Sequence, residues 1–173
     1  MATLKLDKHF DPDRCRHYVN NNLTVLHCHH YATLFTQLAL DAQDLVNGTK
    51  LLYETSEDIF YKALTDYYKD NGVTDQAEKT ELAKEMFSSF GLGKIEAGTL
   101  DEKGGSLEMP VAYLDQGWLQ KWGKYNSPVN FIGAGYIAAM FSAVFDKPVR
   151  SYKVEEQESK VTGASKTVLQ VTV

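Results

Sequence analysis

Apolar positions along the chain first recur at helical spacing and then shift to short runs separated by turn residues. Tyr31, Leu34, Phe35, Leu38, Ala42 and Leu45 predict a first long helix over roughly residues 30–46. Asn47-Gly48 stops it, because both residues accept left-handed backbone angles. Leu52, Ile59, Phe60, Ala63, Leu64, Tyr67 and Tyr68 give residues 49–69 an apolar face. Thr55-Ser56-Glu57-Asp58 is expected to interrupt that helix, since these side chains compete for backbone bonds. Asp75, with Glu78 three residues on, resembles a capping box and opens a third helix running to about residue 90, with Leu82, Met86 and Phe90 inward. Residues 94–100 and 106–113 then read as a β-hairpin turning at Gly104-Gly105, with Pro110 at its edge. Trp118 and Trp122, four apart, share a face if their segment is helical. Pro128 opens a further helix and Asp146-Lys147-Pro148 closes it. A last hairpin joins residues 149–156 to 168–173 around Gly163. At the other end, residues 1–22 are polar and are read as an N-terminal arm, followed by a short strand, Leu23-Thr24-Val25-Leu26.

Composition narrows the class. A chain of 173 residues can bury a core without disulfides or metal. Its most apolar stretch, Phe131 to Phe145, falls short of the roughly 20 residues a membrane span needs and is broken by glycines and Ser142, so it reads as a buried helix. A net charge of −5 without a Lys/Arg cluster argues against a nucleic-acid partner. The charged, apolar-poor start gives no secretion signal, and two cysteines, Cys15 and Cys28, make no disulfide framework, so a cytoplasmic setting is expected.

Chemistry concentrates at His27-Cys28-His29-His30, which holds three of the five histidines at a strand-to-helix junction. Imidazole and thiolate ligate zinc, iron or a tetrapyrrole-bound metal, so His27, Cys28, His29 and His30 are the candidate metal ligands. No regular geometry aims all four at one ion. A full site needs a distant ligand, and His9, Cys15, His17, Glu54 and Asp58 are the candidates. The same imidazoles could instead move protons on a substrate, which would make the chain a small enzyme. They could also be ordinary surface and hydrogen-bonded histidines. The sequence leaves the three readings open. Phe131, Tyr136, Phe141, Phe145, Trp118 and Trp122 either line an apolar cavity or pack the core. Gly135, Ala139 and Ser142 form a small-residue stripe, read as a site of tight helix-sheet or dimer packing.

The C-terminal third carries a family pattern. Pro128-Val129-Asn130-Phe131, Gly135-Tyr136-Ile137-Ala138, Lys147-Pro148-Val149, Glu156 and Gly163-Ala164 resemble the 4-vinyl-reductase, or hydrocarbon-binding, domain. The order of upstream elements is similar to that family as well. The resemblance implies an α/β sandwich related to transport-complex subunits, often dimeric, with an internal cavity for small apolar or aromatic molecules. Many members carry cysteines in the closing hairpin, where they can bind metal; here residues 158–166 contain none, so that metal site is not carried over.

The expectation is therefore an α+β, two-layer domain over residues 23–173, with helices packed on an antiparallel sheet. It would form a homodimer and hold an apolar, aromatic or tetrapyrrole-like ligand beside the helix after Pro128. Ligand contacts would come from His27, His29, His30, Phe131, Tyr136, Trp118 and Trp122. A structural partner subunit is the third reading.

Overall fold

The most apolar stretch of the chain becomes its most buried helix. The computed structural model describes residues 3–26 and 28–173. Three short strands, β1 (Lys8–Asp11), β2 (Arg16–Val19) and β3 (Asn22–Thr24), come first. Four helices follow: α1 (His29–Asp41), α2 (Gln43–Val46), α3 (Gly48–Asn71) and α4 (Gln76–Ser89). A hairpin of β4 (Gly93–Asp101) and β5 (Gly104–Ala112) leads into α5 (Tyr113–Trp122) and α6 (Phe131–Val144). The chain closes with β6 (Lys153–Glu158) and β7 (Thr167–Thr172).

Every residue of α6 from Gly133 to Val144 is buried. Asn130 caps the helix, its side-chain oxygen accepting from the Gly133 N–H at 3.0 Å. On one side α6 packs against α3, and Gly135 explains how closely. A Cβ there would lie 2.4 Å from the Tyr53 carbonyl oxygen and 2.8 Å from Ser56 Cβ. The small-residue stripe thus admits a helix backbone rather than a sheet. On the other side lies an antiparallel sheet of order β4-β5-β7-β6. Leu107, Met109, Leu169, Val171 and Val154 alternate inward from it into the main core. The fold is α+β, helices packed on an antiparallel sheet.

α3 runs unbroken through residues 55–58, contrary to expectation. The polar side chains there find tertiary partners, which removes their competition with the helix. Ser56 Oγ donates to the Ile132 carbonyl at 2.8 Å, and Glu57 Oε1 accepts from the Arg150 N–H at 2.6 Å. The capping reading at Asp75 holds, its carboxylate accepting from the Glu78 N–H at 2.9 Å. The first long helix instead divides at Ala42 into α1 and α2.

β1, β2 and β3 form a separate antiparallel meander over residues 8–24. Asn20 and Asn21 both have positive φ, 49° and 62°, and make the two-residue turn that matches the twist of β2 and β3. The expected strand at 23–26 is therefore the shorter β3, paired backward onto residues read from sequence as an arm.

Candidate functional site

α1 opens at Cys28, whose carbonyl accepts from the Tyr31 and Ala32 N–H groups at 3.1 and 3.3 Å. From there the helix gives Cys28, His29 and His30 different exposures. Cys28 and His30 are exposed, and His29 is half-buried. The His29 and His30 rings still touch, tilted by 39° with centroids 4.2 Å apart. His27 lies outside the described residues. Among the described residues no three His, Cys, Asp or Glu side chains are grouped to hold a metal ion. The distant ligands considered from sequence are engaged elsewhere or remote: Glu54 and Asp58 pair with Arg150 at 3.6 and 2.9 Å, and His9 and His17 sit on the meander. The metal set read from sequence is thus not assembled by the described residues.

Of the other candidates, Tyr136 is a core residue. It is fully buried, its hydroxyl donates to the Ala83 carbonyl at 2.6 Å, and its ring meets Phe60 and Phe87 edge-on. Phe131 is half-buried at the head of α6. A gap at the end of α6 among Met140, Phe141, Val144, Phe145, Thr80 and Leu100 has no room for a water molecule. The flank of α6 is packed with side chains there.

What the fold does bring together is the inner face of α1 and the buried face of α5. His29, Thr33, Thr36 and Leu40 follow one another at helical spacing along α1. Gly117 of α5 lets them approach: a Cβ there would meet Thr33 Cγ2 at 2.9 Å and His29 Cβ at 3.0 Å. Trp118, the next residue, is only 2% exposed. It forms a small hydrophobic cluster with Val129 and Val161, against which Leu40 and Leu119 pack. Trp122 lies one turn on, its ring 4.6 Å from that of Trp118, and Tyr125 stands 5.3 Å away.

This cluster holds polar atoms that the described residues leave unmatched. His29 Nε2, Thr36 Oγ1 and Trp118 Nε1 are buried without a hydrogen-bond partner among them. Buried polar groups are overwhelmingly paired in folded proteins, so these atoms call for a partner from outside the chain, a water or a ligand. Three residues before Trp118, Asp115 is fully buried, with Oδ2 accepting from the Thr167 hydroxyl at 2.5 Å and Oδ1 unmatched. Glu156 Oε1, on β6, is also unmatched. Burial pushes Asp115 up to about 6, against the Thr167 hydroxyl and the Lys160 ammonium. Burial and then the Asp115 charge push Glu156 up to about 7, against the Ser159 hydroxyl and the Asn130 backbone N–H. The two carboxyls therefore share a low-dielectric pocket in which ionising both is unfavourable. Sequence reasoning found His29 and Trp118 but missed Thr36, Asp115 and Thr167. The available signal was Asp115 three positions before an inward Trp on one helix.

No protein-family model matches the sequence. No curated protein matches it either. Solved structures do. The phenol-responsive sensory domain of the transcription activator PoxR, solved with phenol, superposes with a TM-score of 0.79 at 12% identity, over 95% of this chain and 84% of that one. Trafficking protein particle complex subunit 3 from Naegleria fowleri, covalently bound to palmitic acid, matches with a TM-score of 0.56 at 15% identity over 82% and 89%. A vinyl-4-reductase family protein from Methanocaldococcus jannaschii matches with 0.55 at 17% identity over 86% and 83%. The chain has the 4-vinyl-reductase/hydrocarbon-binding fold. No helix is long and apolar enough to cross a membrane among the described residues.

Proposed function

We propose that this chain is a cytoplasmic binding domain for a small aromatic molecule carrying a hydroxyl group, seated between α1 and α5. The observation that carries the reading is the pair of unmatched buried nitrogens, His29 Nε2 and Trp118 Nε1, on two helices that Gly117 holds in close contact. An indole N–H only donates, and a neutral imidazole Nε2 can accept. A hydroxyl can serve both at once, accepting from Trp118 and donating to His29. Val129, Val161, Leu40 and Leu119 supply the apolar surround that a ring would displace or press against. The phenol carried by the PoxR sensory domain is a molecule of this chemistry. This reading seats the ligand at the α1–α5 contact because the two unmatched nitrogens are on those helices.

Titration of the full chain with phenol and with toluene, followed by calorimetry, tests the proposal. Phenol is expected to bind saturably and toluene at least several-fold more weakly, since toluene leaves both nitrogens unmatched. Trp118→Phe and His29→Phe should each weaken phenol about tenfold, the value of one buried hydrogen bond of roughly 1.4 kcal/mol. Trp122→Phe should change it little, because Trp122 is partly exposed. Absence of saturable phenol binding, or equal affinity in wild type and both Phe variants, would overturn the proposal.

A further inference from the structure

A single hydroxyl seated between α1 and α5 matches His29 Nε2 and Trp118 Nε1 and leaves Thr36 Oγ1 unmatched. Thr36 is only 1% exposed, and its hydroxyl has no hydrogen-bond partner among the described residues. Thr33, on the same face, behaves differently. Its hydroxyl turns back to its own helix, 2.9 Å from the His29 carbonyl and 3.1 Å from that of His30, the usual resort of a threonine inside a helix. Thr36 makes no such bond. A hydroxyl buried without a partner weakens the fold, so its place on the inner face of α1 asks for a group that can pair with it.

The spacing along α1 says what that group is attached to. His29 and Thr36 are two helical turns apart, so they share one face and stand about 10 Å apart along the axis. Between them the face is apolar. Thr33 presents its methyl to α5, with Cγ2 at 2.9 Å from where a Cβ on Gly117 would stand, and Gly117 itself adds no side chain. Ala32 beside it is buried. The buried face of α1 therefore runs polar, apolar, polar: His29 at its head, the Thr33 methyl in the middle, Thr36 at its far end.

We infer that the ligand of this site is a phenol with a second hydroxyl para to the first, and that Thr36 is the residue that selects it. This rests on the reading of the α1–α5 contact as a phenol site. A para-dihydroxy ring with a hydrogen bond of about 2.8 Å at each end spans about 11 Å, which matches two turns of helix. Its oxygens lie on one line through the ring, and its carbons fall between them, against the Thr33 methyl and Gly117. An ortho or meta hydroxyl leaves the ring to the side instead, at the level of Thr33, whose own hydroxyl is already spent on backbone carbonyls. Thr36 can either donate to a para hydroxyl or accept from it.

Calorimetric titration of the full chain with hydroquinone, catechol, resorcinol and 4-methylphenol in degassed buffer tests this. 4-Methylphenol matches hydroquinone in size and puts a methyl where the second hydroxyl stands. Hydroquinone is expected to bind at least as tightly as 4-methylphenol, although its extra hydroxyl must be stripped of water. It should bind about tenfold more tightly than catechol or resorcinol. Thr36→Val exchanges the hydroxyl for a methyl and should lower the hydroquinone-to-4-methylphenol affinity ratio about tenfold, while Thr36→Ser keeps the hydroxyl and should keep the ratio. The thermal midpoint of Thr36→Val should equal or exceed that of wild type, since no bond within the chain is lost. A midpoint lowered by Thr36→Val and kept by Thr36→Ser would mean that the hydroxyl is paired inside the fold, and would overturn the inference. So would a ratio that Thr36→Val leaves unmoved, or equal affinity for the three dihydroxybenzenes. With phenol itself still bound saturably, those results leave the phenol site standing; a wild type that binds no phenol removes the site and the inference together.

Discussion

Asp115→Asn should stabilise this protein most at pH 8, about half as much at pH 5, and little near pH 3. The Asp115 carboxyl rises from 3.8 to about 6 on folding, a little over two pH units, because it is fully buried. One unit corresponds to about 1.4 kcal/mol, so ionised Asp115 costs the fold about 3 kcal/mol. The sign follows from which state holds the proton. Asp115 and Glu156 both bind protons more tightly in the folded chain than in the unfolded one. Their contribution to stability is complete below the ordinary carboxylate range, near pH 4. It is lost as pH rises through about 6 and about 7 and is gone by pH 8. Between pH 5 and 8 the loss comes to about 1.5 kcal/mol from Asp115 and about 2.5 kcal/mol from Glu156. Asparagine keeps an oxygen to accept from Thr167, which now bonds at 2.5 Å, and removes the charge that raises Glu156. Urea unfolding of wild type and variant at pH 5, 6.5 and 8 reads the effect as a difference, which cancels the titration of surface carboxyls. A gap that opens toward pH 8 to about 3 kcal/mol is expected. A gap that stays level with pH, or a variant equally destabilised at every pH, would refute the claim that an unfavourable buried charge sits there.

Three further outcomes follow from the same contacts. Gly117→Ala should lower stability by about 1–3 kcal/mol and weaken phenol binding, since its Cβ would lie 2.9 Å from Thr33 Cγ2 and force α1 off α5; thermal unfolding and calorimetry check the two together. Arg150→Ala should cost about 3 kcal/mol in urea unfolding, because Glu57 is fully buried and Arg150 Nη1 is its cation at 3.0 Å. Glu57 is already held above the usual carboxylate range by burial, so much of that cost should disappear in acid, where the carboxyl takes a proton.

Much of the fold was legible because its signals are local. Asp75 with Glu78, the left-handed stop at Asn47, the turn at Gly104 and the period change after residue 93 all act over four residues or fewer. Thr55 to Asp58 misled because a local rule was overridden at a distance: Ser56 and Glu57 spend their polar atoms on Ile132 and Arg150, more than 70 residues away in sequence. The meander was hidden for another reason. Strands of three or four residues are too short to show alternation, and the asparagine run that looks like loop is the turn itself. The histidine cluster is split because successive helix positions face different sides, so among the described residues His29 meets α5 while His30 is exposed. Asp115, Thr36 and Thr167 carry no motif. Only tertiary packing brings Asp115 of α5 within bonding distance of Thr167 on β7 and buries Thr36 on α1.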